Sequence, residues 1–251
     1  MQKNFKLVIE YDGTGYHGWQ IQKDEPTIQS AIEKALGIMT RQKITLHGSG
    51  RTDAGVHAVG QVANFACRTR LQAHEFKNGL NSLLPDDIVV RSCKQVDPGF
   101  HARFDAKRKT YHYRIRNCSN PVAIGRQYVW HIRSPLKLEP MQQSADLLKG
   151  THAFDAFEGS GSPRSSTIRT VFKAQWHREE EDLVIFEIEA DGFLRFMVRN
   201  IVGTLVSVGL GRLTVADARR ILESKDRRKA PATAPAKGLF LINVTYCGTE
   251  Q

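Results

Sequence analysis

The sequence predicts an α+β protein of two subdomains, residues 1–105 and 106–251, sharing one extended mixed and antiparallel sheet. Three observations lead there. The first half reads as alternating strands and helices in the order β-α-β-β-α-β, that of a ferredoxin-like split βαβ unit. The second half follows a decorated version of the same plan, repeated in element order but not in sequence. Finally, 251 residues with 41% apolar side chains are enough for one large core or two small ones.

In chain order, residues 5–11 (FKLVIEY) read as a strand, followed by the loop Asp12-Gly13-Thr14-Gly15. Thr27 follows Pro26 and can cap a helix with Ile28, Ile32, Leu36 and Met39 on one face. Residues 43–47 (KITLH) predict a second strand and 59–66 a third. A short helix carries Phe76, Leu80, Leu83 and Leu84 and is stopped by Pro85, and a fourth strand opens at 88–90. Beyond it come a strand at 110–115, a helix at 139–148 after the Pro135 turn, and strands at 168–176 and 183–190 around the acidic turn 179–182. A long apolar helix over 193–208, a short one over 216–222 and a late strand at 239–246 (LFLINVTY) complete the plan. Two segments of loop composition, 158–166 (EGSGSPRSS) and 230–237 (APATAPAK), read as mobile connectors.

Composition excludes several classes. No stretch approaches the roughly 18 apolar residues of a membrane span, and residues 1–6 lead straight into a strand without a signal-peptide apolar core. The expectation is a cytoplasmic protein. Its four cysteines, Cys67, Cys93, Cys118 and Cys247, are far apart, as expected of lone thiols in a reducing compartment. The formal charge of +10 is uneven, with +2 in residues 1–105 and +8 in residues 106–251. The excess clusters at 103–116 (Lys107, Arg108, Lys109, Arg114, Arg116) and 219–229 (Arg219, Arg220, Lys225, Arg227, Arg228, Lys229). Two basic runs favour a nucleic-acid partner, without distinguishing DNA from RNA.

The stretch that carries chemistry is Gly48-Ser49-Gly50-Arg51-Thr52-Asp53-Ala54-Gly55-Val56-His57. Its glycines do not have G-x-G-x-x-G spacing, and no Lys-Ser/Thr makes it a phosphate-binding loop. An aspartyl-phosphatase would need a second Asp two residues on, which is absent. What remains is one carboxylate on a glycine-permitted loop with a guanidinium two positions before it. Asp53 on such a loop can project as nucleophile or base, and a nearby Arg would hold it ionised. A plain surface turn, with Asp53 capping its own backbone, is the alternative.

Residues 48–58 with Gly60-Gln61-Val62 resemble the signature of the bacterial tRNA pseudouridine synthase A family. So do, in family order, Glu10-Tyr11-Asp12-Gly13, Gly18-Trp19-Gln20, Phe100-His101-Ala102-Arg103-Phe104, Tyr111-His112-Tyr113, Met197-Val198-Arg199-Asn200-Ile201-Val202-Gly203 and Gly238-Leu239. The resemblance runs end to end and implies two ferredoxin-like subdomains around a central RNA-binding cleft. It implies Asp53 as catalytic nucleophile and Arg51 as the loop Arg that helps extrude the target base. It also implies that Tyr111 stacks on the uracil, Arg199 pairs with the catalytic carboxylate, and Leu239 packs at the base pocket. The implied reaction converts uridines 38, 39 and 40 of the tRNA anticodon arm to pseudouridine. No metal, nucleotide or redox cofactor is expected, and the expected assembly is a homodimer on tRNA.

The residues themselves fit these roles. An extruded base needs an aromatic face and an apolar wall, and Tyr111 shares one strand face with Tyr113 while His112 takes the other. In a helix over 193–208, Arg195 and Arg199 lie four apart on one face amid apolar neighbours, where an Arg needs an anion or must reach solvent; Arg195 is expected to take the solvent route. Two other readings remain open: a tRNA-binding protein without catalysis, and a pseudouridine synthase for another RNA position. The covalent pathway (attack at C1′, addition at C6, or a glycal) is also open.

Overall fold

The computed structural model describes residues 2–159 and 166–247. They form two compact units, one of residues up to Lys107 together with those from Phe240 onward, the other Arg108–Leu239. The late strand, placed by the sequence in the second half, thus returns to the first unit.

In the first unit, strand β1 (Gln2–Tyr11) lies between β3 (His57–Arg68) and β4 (Ile88–Val96), antiparallel to both. The outer edge of β3 pairs with the two-residue strand β2 (His47–Gly48) at Asn64 and Ala63. Nearer its start, at His57 and Ala58, the same edge pairs in parallel with Phe240 and Leu241 of β10 (Leu239–Tyr246). The strand order β4-β1-β3-β2 is that of a ferredoxin-like unit.

Alternation in β1 buries Phe5, Leu7, Ile9 and Tyr11. Phe5 contacts Phe65 and Phe76 at ring distances of 5.4 and 4.8 Å, joining the sheet to helix α2 (Ala73–Leu83). Helix α1 (Ile28–Thr40) starts where Thr27 accepts a hydrogen bond from Ser30 N–H and buries Ile28, Ile32 and Leu36. The predicted strand at 43–47 shrinks to β2. Side chains of α1 take its backbone groups instead: Glu33 accepts from Leu46 N–H at 2.9 Å and Gln29 donates to Leu46 O at 3.0 Å.

The second unit begins on β5 (Ala106–Asn117), pairs it antiparallel with β9 (Leu183–Ala190), and continues through β8 (Ile168–Arg178) to β7 (Gly150–Ala153). A short β6 (Trp130–Ile132) runs parallel to the end of β5. Helix α3 (Leu138–Asp146) packs on β8, α4 (Met197–Gly209) and α5 (Val215–Ser224). Helix α4 is buried over nearly all its length, as its apolar sequence requires. Strands β6 and β7 escape the sequence reading because three or four residues carry too little periodicity.

Candidate active site

The loop carrying Asp53 is held from below by a buried polar network. Gln61, on β3 and wholly buried, accepts from Ser49 Oγ at 2.7 Å and donates to Gly50 O at 3.1 Å. The Thr52 hydroxyl lies 2.8 Å from the Tyr11 hydroxyl at the end of β1, and burial raises the Tyr11 pKa to about 12, so that phenol stays neutral. These bonds fix the residues on one side of Asp53, whose own side chain is half-buried.

The segment after β1 holds the loop from above. Trp19 N–H donates to Thr52 O at 3.1 Å, Gly55 N–H donates to Tyr16 O at 3.3 Å, and Val56 N–H closes a turn on Asp53 O at 3.1 Å. The two segments approach so closely that side chains are excluded at two positions. A Cβ on Gly13 would lie 2.1 Å from Val56 O, and one on Gly18, whose φ is +88°, would lie 2.5 Å from Thr52 O. At the foot of the loop His57 is buried, its Nδ1 accepting from Gly13 N–H at 3.1 Å and lying 3.0 Å from Asp12 Oδ1. Its ring stacks on Phe240 at 4.7 Å. The separate segments 10–13, 18–20, 48–58 and 60–62 are therefore one hydrogen-bonded block with Asp53 at its rim. Arg51 is exposed on that rim, its Nε donating to Gln20 Oε1 at 3.1 Å.

Tyr111, Arg199 and Leu239 belong to the second unit. Tyr111 is 7% exposed on β5, and its ring and that of Phe193 meet in a T-shaped contact at 5.0 Å and 84°. Tyr113, two residues on, faces the same way and is fully buried, donating to Pro235 O at 2.7 Å. Arg199 lies in the first turn of α4; its Nε donates to Ala234 O at 2.8 Å and its guanidinium lies 5.1 Å from the Phe196 ring. Leu239 is buried at the start of β10.

The predicted helix 193–208 starts later, at Met197. Phe196, just before it, has a left-handed backbone with φ of 61°, so Arg195 lies outside the helix and shares no helical face with Arg199. Arg195 is exposed, and its guanidinium lies 4.8 Å from the other arginine's neighbour, the Phe196 ring. Residues 230–237 also differ from the sequence expectation. Far from a mobile connector, this segment is a strap on α4: Ala234 is 1% exposed, and its N–H donates to Arg199 O at 3.1 Å. Arg227 anchors the strap, donating to Asn200 Oδ1 at 3.0 Å, Thr233 Oγ1 at 3.1 Å and Ala230 O at 2.9 Å. That arginine, counted in a basic run, is thus engaged in holding the fold. Most of the other connector, residues 160–165, lies outside the described residues.

Sequence reasoning missed Gln61, Thr52, His57, Phe193 and Arg227 as supports. Gln61 and His57 carry a signal, a polar residue where a strand is buried, that becomes legible only when the partner is known; Thr52 and Arg227 lie outside strands and α-helices, and Phe193 reads as one more apolar residue.

Residues 7–105 and 145–247 match the family model described as tRNA pseudouridine synthase, and the chain belongs to that family. It is 50% identical over 244 residues to the tRNA pseudouridine synthase A of Thermoanaerobacter sp. (strain X514), spanning 97% of this chain and 100% of that protein. The proteins of the same name from Acetivibrio thermocellus and Pseudothermotoga lettingae are 47% and 42% identical over the same shares.

Proposed function

We propose that this chain isomerises uridine to pseudouridine at positions 38, 39 and 40 of the tRNA anticodon arm, with Asp53 as nucleophile. The observation that carries the reading is the block beneath Asp53. Buried hydrogen bonds and two side-chain-excluding glycines hold this one carboxylate at the rim of a loop, in a chain of the tRNA pseudouridine synthase family. Such preorganisation is what a nucleophile needs to meet a base drawn out of its stack.

The reaction breaks the bond between uracil N1 and ribose C1′, turns the base, and joins C5 to C1′. The proton leaves C5 and N1 gains one, so nothing is added or removed overall. We assign substrate binding to four further side chains. Arg51, exposed at the rim, helps extrude the base, Tyr111 supplies the stacking face, and Leu239 the apolar wall. Arg199, oriented by its bond to Ala234 O, supplies the cation for the catalytic carboxylate. The net charge of +10 suits a polyanionic substrate, and we propose that a homodimer binds the tRNA in the cytoplasm. Among the described residues no helix is long and apolar enough to cross a membrane.

The test is pseudouridine mapping on an unmodified tRNA transcript with uridines at 38–40, incubated with wild type or Asp53→Asn without added metal or nucleotide. Product at those positions from wild type alone is the expected result. Product from Asp53→Asn would remove Asp53 as nucleophile, and product at other positions would reassign the target. Tight binding with no product from either protein would favour a binding protein.

A further inference from the structure

We propose that His47, His101 and Phe104 form a stacking platform for an unpaired nucleobase of the RNA, with the Arg103 guanidinium beside it for the adjoining phosphate. The identity of that RNA as tRNA rests on the function proposed above; none of the four side chains has a role in that chemistry.

The three rings touch in series within the first unit, His101 contacting both of the others in tilted arrangements. His47 and His101 have ring centroids 5.0 Å apart at 38°, and His101 and Phe104 4.3 Å apart at 34°. Phe104 ends the series and is 71% exposed. The Arg103 guanidinium lies 5.7 Å from the Phe104 ring.

The backbone of the turn that bears His101 and Phe104 is held by hydrogen bonds on both sides of Phe104. His101 N–H donates to Asp105 Oδ2 at 2.8 Å, Arg103 N–H to His101 Nδ1 at 3.1 Å, and Asp105 N–H to His101 O at 3.1 Å. Beneath them, Ala102 N–H donates to the buried Asn64 at 2.8 Å, and the Tyr246 hydroxyl donates to Ala102 O at 2.7 Å.

Single exposed apolar side chains are ordinary. A series of ring contacts ending in a largely exposed Phe104, with a guanidinium over its ring at 5.7 Å, is a different object. Asp105, next to Phe104, is exposed, and aspartate is depleted at the centre of protein–protein interfaces. A flat base attached to a phosphate matches both the exposed ring and the cation. Burial, and then the neighbouring His47, lower the pKa of His101, which favours an uncharged imidazole in the series.

The experiment measures equilibrium binding of an unmodified tRNA transcript to the full chain and to Phe104→Ala, Phe104→Leu and Phe104→Trp. Pseudouridine formation by wild type and sedimentation of each protein are measured alongside. Replacing the ring by Ala or Leu is expected to weaken binding by about 5- to 100-fold, while Trp holds it within about twofold of wild type. Unchanged binding by Phe104→Ala would overturn the platform, and so would Leu binding as well as Trp. A change of oligomeric state in Phe104→Ala would overturn it in favour of a second copy of this chain. If wild type binds the transcript but makes no pseudouridine, the proposed function fails while the Ala-against-Trp comparison still decides the platform. A wild type that does not bind the transcript overturns both.

Discussion

Asp53, the nucleophile proposed above, shows how much of a side chain's setting comes from its neighbours. Its loop is positioned by Thr52, Gln61 and Tyr11 from one side and by the backbone at Gly13 and Gly18 from the other. Thr52→Val removes the 2.8 Å partner of the buried Tyr11 hydroxyl and leaves it the 3.5 Å bond from Gln61 Nε2, and a buried hydroxyl short of a partner costs about 1–3 kcal/mol. We expect denaturant unfolding to show that loss and the pseudouridine rate to fall at least about tenfold, since small misplacements in a catalytic site are expensive. Thr52→Ser should recover most of both. A Thr52→Val enzyme with wild-type rate would show that the network does not position the loop. Gly18→Ala is the harsher change, because a Cβ meets Thr52 O at 2.5 Å and φ is +88°. Roughly 1–3 kcal/mol of backbone strain and near-complete loss of turnover should appear together in melting and activity assays.

Helix ends and straps fix the second unit's arrangement. Arg227→Ala should lower unfolding free energy by about 2–3 kcal/mol, the scale of charged hydrogen bonds lost in a partly buried site, whereas the exposed Arg219→Ala should leave it nearly unchanged. Paired unfolding curves decide this, and equal effects would refute the assignment of Arg227 to the fold. Acid should act on the ends of α5. Hydrogen bonds from Thr214 and then Arg220 pull the Asp217 pKa to about 2, and bonds from Arg228 do the same for Asp226. Their unfolded values lie near 3.9, so the folded state holds these protons more weakly. Their contribution to stability is complete above about pH 4 and vanishes as the pH falls through 2. Stability measured against pH should lose a step in that window, and Asp217→Asn should shrink it.

Elements whose local pattern and tertiary setting agree were legible from the sequence. Thr27 caps α1 as expected, and β9 and β10 have the predicted bounds. The reading failed where a distant partner overrides local pattern. Gln29 and Glu33 draw 43–46 away from strand pairing, the left-handed Phe196 delays α4, and Arg227 and Asn200 fasten a Pro/Ala-rich segment that looks like a linker. At the site the same division holds. The Asp-bearing loop was visible by its glycines, while Gln61 and His57 stood in the family motifs without a role, because the fold alone brings them to Ser49 and Gly50 and to Gly13 and Phe240.

For the whole molecule the governing quantity is charge. With a net +10, tRNA binding should be strongly salt-dependent, because each neutralised phosphate releases counterions. Binding isotherms between 50 and 200 mM salt should show a fall of about 10³-fold or more if six or more phosphates are contacted. A change under about tenfold would show that electrostatics contributes little. The two units also differ in continuity along the chain. Residues 108–239 form one uninterrupted stretch, while the first unit is split around them. The His57–Phe240 pair closes that split across about 180 positions of sequence, a non-local contact of the kind that forms late. During synthesis, which proceeds from the N-terminus, the Asp53 loop therefore emerges long before β10 can be laid beside it. A nascent chain on the ribosome carries the proposed nucleophile on an unfinished foundation, and the second unit has all of its own residues before the first can be completed.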